Sequence, residues 1–278
     1  MTEPNEGCCV LCGAADAELC ETIVRKPERE VDYGIPEESY LRRIRRCMAC
    51  RVYFNDHGLL PDTFYGGAYN DSAYGDRFRA RFDAVMALPP ERSDNKQRAL
   101  RLDKVLQNAG RSPPATRVLD IGSGLGVFPA EMRMLGYETH VIDPDPRAVR
   151  HALEVVGVRG ANVGSLQAMP EPAPFELVTL NKVLEHVPDP QEGLRSATAF
   201  MAPRGMIYVE LPDGEAAAAA GGFTNRSEFF VEHFTAYGPE SLRWLIGRAG
   251  LTIRGMDRIH EPSGKYTIFA IAGRAGDG

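Results

Sequence analysis

The chain has 278 residues, 44% of them hydrophobic and 25% charged, which is enough for one large globular domain and a small one. Its formal net charge of −6 at pH 7 argues against a surface that binds nucleic acid over its whole extent. No apolar run reaches the ~20 residues that a membrane-spanning helix needs, and the acidic N-terminus is unlike a signal peptide, so we expect a cytoplasmic protein with reduced thiols.

All six cysteines lie near the N-terminus. Four of them form two C-x-x-C pairs: Cys9 with Cys12, and Cys47 with Cys50. In reduced proteins such pairs bind metal more often than they form disulfides, and two pairs provide the tetrahedral ligands of a structural zinc ion. We therefore predict that residues 1–60 form a zinc-ribbon-like module, with Cys8 and Cys20 outside the metal site. A set of buried free cysteines is the alternative.

Five arginines surround the second cysteine pair: Arg42, Arg43, Arg45, Arg46 and Arg51. Guanidinium groups form bidentate hydrogen bonds with phosphate, so this patch is a candidate site for an anionic substrate, a nucleotide or RNA. The alternative is a solvated basic face without a ligand, whose charge is balanced by neighbouring glutamates. The sequence leaves both interpretations open.

Residues 61–112 form a bridge that begins with an aromatic loop. Apolar residues at helical spacing predict a helix over Asp76–Leu88, which a Pro-Pro pair ends. A second helix is predicted over Asp94–Ala109, with Asp94 as its N-cap and Gly110 as its stop.

From Thr116 onward, short apolar runs alternate with helical patterns. The predicted strands are Arg117–Ile121, Thr139–Ile142, Phe175–Leu180, Met206–Leu211, Leu251–Ile259 and Tyr266–Ala272. The predicted helices are Gly124–Leu135, Pro146–Val156, Pro190–Met201 (capped by Asp189) and Pro239–Ala249. This alternation predicts a doubly wound α/β domain over residues 113–278, with a mostly parallel sheet. We expect the Ala- and Gly-rich segment Gly214–Thr224 to be a mobile lid loop, or alternatively a short helix.

The strongest local signal is a buried strand that runs into a glycine-rich turn, V-L-D-I-G-S-G-L-G. Its chemistry-bearing residues are Asp120, Gly122, Ser123, Gly124 and Gly126. Such a turn lets a ligand approach the backbone at a helix N-terminus, and its spacing differs from the G-x-G-x-x-G of dinucleotide-binding folds. Asp143 ends the next strand, where an acid can bind two ribose hydroxyls.

In combination, V-L-D-I-G-S-G-L-G, H-V-I-D and F-E-L-V-T-L-N-K-V-L-E-H-V resemble the class I S-adenosylmethionine (SAM) dependent methyltransferases, over about Thr116 to Arg274. The resemblance implies a Rossmann-like fold with SAM as cofactor. It also implies that Asp120 and the glycines line the methionine end of SAM, and that Asp143 binds the ribose. The same resemblance places Ser165 and Leu166 at the adenine and Asn181 at the cleft. A NAD enzyme, or a SAM fold without activity, is the alternative.

The aromatic bridge and the segment F-F-V-E-H-F-T-A-Y further resemble the deoxysugar C-methyltransferases. This resemblance implies a small-molecule acceptor, a sugar or sugar nucleotide. From its place between the fifth strand and the next helix, near the acceptor side of the cleft, we predict His233 as the general base, assisted by Glu232. His186 is the rival base. Three tyrosines of the bridge are expected to close the acceptor pocket: Tyr65, Tyr69 and Tyr74. Those enzymes carry a further C-terminal domain that this sequence lacks, so other small hydroxylated or carbonyl acceptors stay open.

Two further functions are compatible with the same motifs. Zinc ribbons also precede the SAM domain in certain ribosomal RNA guanine methyltransferases, which would use the module for RNA contact. A SAM-binding regulatory or scaffold protein without catalysis is the other possibility. The acidic charge argues against RNA, and the Glu232-His233 pair argues against a scaffold. The sequence predicts neither the methylated atom nor the oligomeric state.

Overall fold

The computed structural model describes residues 8–57, 59, 78–166 and 174–277. Its strands are β1 (Ala17–Ile23), β2 (Arg42–Cys47), β3 (Tyr53–Asp56), β4 (Arg117–Ile121), β5 (Glu138–Asp143), β6 (Gly160–Val163), β7 (Phe175–Asn181), β8 (Met201–Pro212), β9 (Thr235–Ala236), β10 (Leu251–His260) and β11 (Tyr266–Arg274). Its helices are α1 (Phe78–Met86), α2 (Asp94–Asn108), α3 (Val127–Met134), α4 (Pro146–His151), α5 (Pro190–Thr198), α6 (Gly214–Gly221) and α7 (Pro239–Arg248). Within these ranges no helix is both long and apolar enough to cross a membrane.

The larger sheet has seven strands in the order β10-β11-β8-β7-β4-β5-β6. The five strands β4 to β8 are mutually parallel, whereas β11 runs antiparallel to both of its neighbours. The predicted α/β class with a mostly parallel sheet is therefore confirmed. Because parallel strands end at one edge of the sheet, the segments after β4, β5 and β7 meet there.

Alternating side chains of the central strands build the core on both faces of this sheet. Val118 and Leu177 belong to the cluster on one face, whereas Leu119 and Val178 belong to the cluster on the other. This follows from the period of two along a strand. Helices α2 and α3 cover the first face with four buried side chains: Leu102, Leu106, Phe128 and Met132. Helices α5 and α7 cover the second face with Leu194, Leu242, Leu245 and Ile246.

Helices α2, α3 and α7 end close to the predicted stop signals. Helix α5 ends at Thr198 rather than at the predicted Met201, because β8 begins at Met201 and not at Met206. Two helix starts also need correction. Helix α2 is capped by the Ser93 hydroxyl, which accepts a 3.2 Å hydrogen bond from the Lys96 amide, so Asp94 is not the N-cap. Asp94 instead accepts from Ser263. Helix α3 begins at Val127 rather than Gly124, because Gly126 at its N-cap has a left-handed φ of 74°.

Two segments have secondary structure that the sequence analysis did not assign to them. The segment Gly214–Gly221 is helix α6 rather than a loop, as the helical alternative expected. Asp213 caps it by accepting from the Ala216 amide at 3.0 Å, and its five alanines have the highest helix propensity of any residue. Strand β6 was not predicted, because its sequence G-A-N-V has no apolar run and its side chains are partly or fully exposed at the edge of the sheet.

The smaller sheet is antiparallel, in the order β1-β2-β3-β9. Its first three strands come from the cysteine-containing module, but β9 comes from the C-terminal part of the chain. Tyr53 pairs with Ala236 and Phe54 with Thr235. The module is thus joined by main-chain hydrogen bonds to the segment that carries the predicted base, His233.

A buried ion pair lies between the module and the segment that precedes β9. Arg42 is 0% exposed, and it pairs with Glu30 at 3.2 Å. Its guanidinium also donates to Tyr40 at 2.9 Å, to Asn55 at 3.1 Å and to the carbonyl of Phe229. Every partner is within the module except Phe229, so this side chain fastens the module to the rest of the protein.

We expect Arg42→Met to lower the free energy of unfolding by about 3–5 kcal/mol, because it leaves Glu30 buried without its partner. Urea denaturation followed by circular dichroism measures this. Arg43→Met on the neighbouring strand position is the matched control and should cost at most about 0.5 kcal/mol, as surface substitutions do. Equal stability of the two variants would contradict a central role for the Arg42 contacts.

Candidate active site

A cavity of about 980 Å³ opens at the edge of the large sheet where β4, β5 and β7 end. Open α/β sheets bind ligands at this edge. The volume is at the upper end of the range for small-molecule sites, which is about 300–1,000 Å³. Both the glycine turn and the Glu232-His233 pair contribute to its wall.

The glycine turn forms the floor of one end of the cavity. Gly122 has φ 74°, a conformation that L side chains rarely adopt, and an added Cβ would lie 2.7 Å from a methyl carbon of Val183. Glycine is therefore required here both by conformation and by space. Its amide donates to the Ile142 carbonyl at 2.7 Å, which fixes the turn to β5. Ser123 and Gly124 line the cavity beside it.

Asp143 lies at the end of β5, in the wall of the cavity, as predicted. Its carboxylate accepts from the Gly124 amide at 2.8 Å and from the Asp145 amide at 2.9 Å. Burial raises the pKa of Asp143 to about 6, although both backbone amides favour the charged form. The carboxylate thus joins the glycine turn to the next loop and still faces the cavity.

Asp120 occupies a deeper position than the predicted contact with the cofactor. It is 2% exposed, and its Oδ1 accepts 2.7 Å hydrogen bonds from Thr179 and from the amide of Asn181. Burial raises its pKa to about 7. Asn181 itself lines the cavity. Within the described residues, its Oδ1 and the hydroxyl of Ser123 are buried without hydrogen-bond partners. Asp120 therefore orients Asn181, and the cavity offers two polar atoms to a ligand.

Ser165 and Leu166 line the same half of the cavity, where the resemblance placed the adenine. Gly126 caps helix α3 below the turn. The three predicted acceptor tyrosines, Tyr65, Tyr69 and Tyr74, lie outside the described residues.

The other half of the cavity is lined by Glu185, His186, Glu232 and His233. The first two follow β7, and the last two precede β9. They meet because the Phe234 amide donates to the Glu185 carbonyl at 2.7 Å. The two imidazole rings are 4.7 Å apart between centroids, at 72°. The structure thus brings the predicted base and its rival together.

Both histidines are held by backbone carbonyls. Nδ1 of His186 lies 3.2 Å from the Glu232 carbonyl, and Nδ1 of His233 lies 3.1 Å from the Glu228 carbonyl. Because a carbonyl only accepts, both Nδ1 atoms carry hydrogen and both Nε2 atoms carry the lone pair. Burial lowers the pKa of His186 to about 4 and that of His233 well below its usual value. Two neutral imidazoles therefore face this end of the cavity.

Glu185 is a site residue that the sequence analysis did not single out. It is 1% exposed, and neither carboxylate oxygen has a hydrogen-bond partner in the described parts of the chain. Burial raises its pKa, against the attraction of Lys182. One ligand atom from each of Glu185, His186 and His233 lies within 4.8 Å of the others, so these three side chains can hold a metal ion. The position of Glu185 directly before His186, after β7, was the sequence signal that could have identified it.

The N-terminal module fixes the backbone that precedes β9. The side-chain amide of Asn55 donates to the carbonyls of Phe229, Phe230 and His233, at 3.3, 3.1 and 2.6 Å. Glu30 accepts from the Val231 amide at 2.8 Å. Residues 229–233 therefore take their conformation largely from the module.

The four paired cysteines come together in the module. Sγ atoms of Cys9 and Cys50 are 3.6 Å apart and those of Cys12 and Cys47 are 3.5 Å apart, with all four within 4.8 Å. Tetrahedral zinc with Zn–S bonds of about 2.3 Å requires sulfurs about 3.8 Å apart. The spacing, and the absence of disulfides among the six cysteines, fit such an ion.

The arginines near the second cysteine pair do not form one surface patch. Arg42 is buried, as described above, which corrects its place in the predicted basic patch. Arg45 pairs with Asp56 at 2.8 Å and Arg46 with Glu215 at 2.6 Å. Most of this positive charge is thus balanced within the chain.

Solved structures of known methyltransferases share this fold. The 1,6-didemethyltoxoflavin N1-methyltransferase of Burkholderia thailandensis, solved with 1,6-didemethyltoxoflavin and S-adenosylhomocysteine, superposes with a TM-score of 0.57 at 17% identity, over 83% of this chain and 94% of that one. The magnesium protoporphyrin IX methyltransferase of Synechocystis PCC 6803, solved with S-adenosylhomocysteine, gives 0.54 at 14% identity, over 73% and 96%.

Curated relatives match part of the chain. A ubiquinone biosynthesis O-methyltransferase of Xanthomonas campestris pv. campestris is 33% identical over 138 residues, which are 47% of this chain and 56% of the relative. One from Albidiferax ferrireducens is 27% identical over 169 residues, 58% of this chain and 65% of the relative. The chain thus spans little more than half of the first of these relatives.

The family comparison covers more than half of the chain. The model of a methyltransferase domain family matches residues 92–254. This range contains the glycine turn, Asp143, Asn181 and the Glu232-His233 pair. The chain therefore belongs to the methyltransferase domain family, and the family predicted from its sequence is confirmed.

Proposed function

We propose that this protein transfers the methyl group of SAM to a small-molecule acceptor bound in the same cavity. The observation that carries the proposal is the division of one cavity into two chemically different ends. The glycine turn and Asp143 form one end, and the histidines with Glu232 form the other. A donor and an acceptor bound there would face each other across the cavity.

The first end suits SAM. Asp143 is proposed to bind the ribose hydroxyls, and the backbone of Gly122 and Gly124 to approach the methionine part. Ser123 and Asn181 offer the two unpartnered polar atoms, and Ser165 with Leu166 would hold the adenine. Asp120 contributes through Asn181 as a positioning residue. When bound, SAM supplies an activated methyl group, so the task of these residues is alignment.

Asp143→Ala should weaken SAM binding about 5- to 150-fold, the scale of ~1–3 kcal/mol for a lost hydrogen bond to a charged group. Titration calorimetry measures the affinity. Asp257→Ala, at an exposed position on β10 that does not line the cavity, is the control and should leave the affinity unchanged. Wild-type affinity in Asp143→Ala would refute the ribose assignment.

The second end suits removal of a proton from the acceptor. His233 is proposed as the general base, because its Nδ1–H is held by the Glu228 carbonyl and its Nε2 lone pair is directed away from that bond. Glu232 lines the same wall and would orient or charge the site. His186, which has the same tautomer and lies 4.7 Å away between ring centroids, is the rival base.

His233→Ala should lower turnover by ~10²–10⁴-fold, the usual contribution of acid–base catalysis, while SAM affinity stays near that of the wild type. Steady-state kinetics of both histidine variants separates the two candidates. His260→Ala, an exposed position on β10, is the matched control. Loss of turnover in His186→Ala but not in His233→Ala would reverse the roles.

A sugar or sugar nucleotide is the proposed acceptor. The Glu232-His233 segment that carries the deoxysugar resemblance lines the cavity, and Arg29 and Lys265 add cationic groups to the wall that an anionic acceptor would use. The name of the 33%-identical relatives, ubiquinone biosynthesis O-methyltransferase, favours a second candidate, methylation of an acceptor oxygen. Labelled SAM offered with nucleotide sugars, simple phenols and bulk RNA distinguishes these. Transfer to RNA would favour the ribosomal RNA alternative, and stoichiometric SAM binding without any transfer would favour a scaffold.

Zinc is the proposed ion of the cysteine module, because four thiol groups at tetrahedral spacing match its structural ligand set. Its role would be to hold the two C-x-x-C turns together. Cys9, Cys47 and Cys50 also belong to the main hydrophobic core, so order in the module is coupled to packing in the rest of the protein.

Metal analysis of the purified protein should find about one zinc per chain, as expected for a closed four-cysteine site. Cys47→Ser should lower the zinc content and the thermal stability together, since metal binding and folding are coupled in such modules. Cys20→Ser, outside the cluster, should change neither. A folded wild-type protein that contains no metal would contradict the proposal.

A further inference from the structure

We propose that Glu185, His186 and His233 form a second metal site, which binds one divalent transition-metal cation at the acceptor end of the cavity. The inference rests on the proposed methyl transfer and deepens it, because a cation, in place of a free His233 base, would activate the acceptor and restrict its chemistry. It is distinct from the cysteine cluster in place and in ligand type.

The ligand atoms are already close together. One atom from each side chain lies within 4.8 Å of the other two, and all three residues line the cavity. Two imidazoles and one carboxylate on one face leave the remaining coordination positions open, which is the arrangement of metal sites that bind substrate. A closed structural site would need a fourth protein ligand.

The hydrogen bonds behind the ligands have the pattern of a metal site. His186 and His233 both donate Nδ1–H to backbone carbonyls, those of Glu232 and Glu228. Metal-bound histidines commonly donate the other ring N–H in this way, which fixes the tautomer and the orientation of the ring. Both rings therefore present Nε2 as the ligand atom.

The carboxylate of Glu185 gives an independent reason to propose a metal ion here. Glu185 is 1% exposed, yet both of its oxygens lack a hydrogen-bond partner in the described residues. The neighbouring cation does not supply one, because the Lys182 ammonium donates to the Thr267 hydroxyl at 2.6 Å. Buried carboxylates are normally paired or bound to metal. A cation beside the two histidines satisfies these oxygens.

The site restricts the acceptor. A cation with open positions lowers the pKa of an oxygen acid that it binds, so the acceptor would carry a hydroxyl group, with a neighbouring hydroxyl or carbonyl oxygen as a second ligand. With a cation in place, Nε2 of His233 is a ligand rather than a free base. If His233 acts as the base, methyl transfer persists after a chelator removes the cation. If His233 is a ligand of the cation, chelation abolishes methyl transfer.

Cobalt(II) added to full-length protein that carries one zinc per chain, in its cysteine cluster, tests the site. We expect one Co²⁺ per chain with weak d–d bands and without the intense charge-transfer absorption that thiolate ligands produce. Glu185→Gln and His186→Ala should each weaken Co²⁺ binding at least about tenfold. Glu261→Gln is the matched control, since it removes a buried carboxylate that also lacks hydrogen-bond partners in the described residues but does not line the cavity.

Absence of Co²⁺ binding, or equal binding by the wild type and Glu185→Gln, would overturn the site. Circular dichroism and SAM affinity show whether each variant is folded. If Glu185→Gln does not fold, His186→Ala provides a second test of the site. Methyl transfer by protein that binds no Co²⁺ would refute the cation and leave the proposed function standing. Co²⁺ bound without methyl transfer to any hydroxylated acceptor would refute the function and leave the site.

Discussion

The buried guanidinium of Arg42 is the contact on which the acceptor side of the cavity depends. It orders Glu30 and Asn55, and these two side chains in turn bind the backbone before β9. A single charged pair inside a protein is rarely a net source of stability, but it is sensitive to the loss of either partner. Its effect here is to fix geometry, because the carbonyl of His233 is one of the groups that Asn55 holds.

This arrangement explains why a small N-terminal module accompanies the methyltransferase fold. The parallel sheet positions the cofactor end by itself, since the glycine turn and Asp143 follow adjacent strands. Glu232 and His233 at the acceptor end have no such support, because they lie in the long connection between β8 and β9. Strand β9 is only two residues long, and its partner β3 lies in the module. The module therefore supplies the rigid side of an otherwise irregular loop.

Sequence reasoning succeeded where neighbouring residues carry the signal. The glycine turn is continuous in the chain, so it could be predicted. The strands and helices of the large sheet could also be predicted, because apolar runs alternate with helical patterns that have recognisable start and stop residues. Arg42 could not, because it lies among arginines on a strand whose inward positions are partly charged. Glu185 was missed although it stands beside His186, because its importance depends on His233, which a tertiary contact brings to it. The short strands β6 and β9 have too little apolar sequence to be recognised.

The charges behind the acceptor end show why Glu185 is left available to a ligand. Burial alone would raise the pKa of Glu210, but Arg98 and Tyr208 bind its carboxylate and hold that pKa at about 2. Glu210 is thus fully satisfied by hydrogen bonds. Lys182 attracts both carboxylates, but its hydrogen bond goes to Thr267. Glu185 consequently receives charge compensation without a hydrogen-bond donor from the described residues, and one of its oxygens lies within 4.8 Å of a ring nitrogen of each histidine.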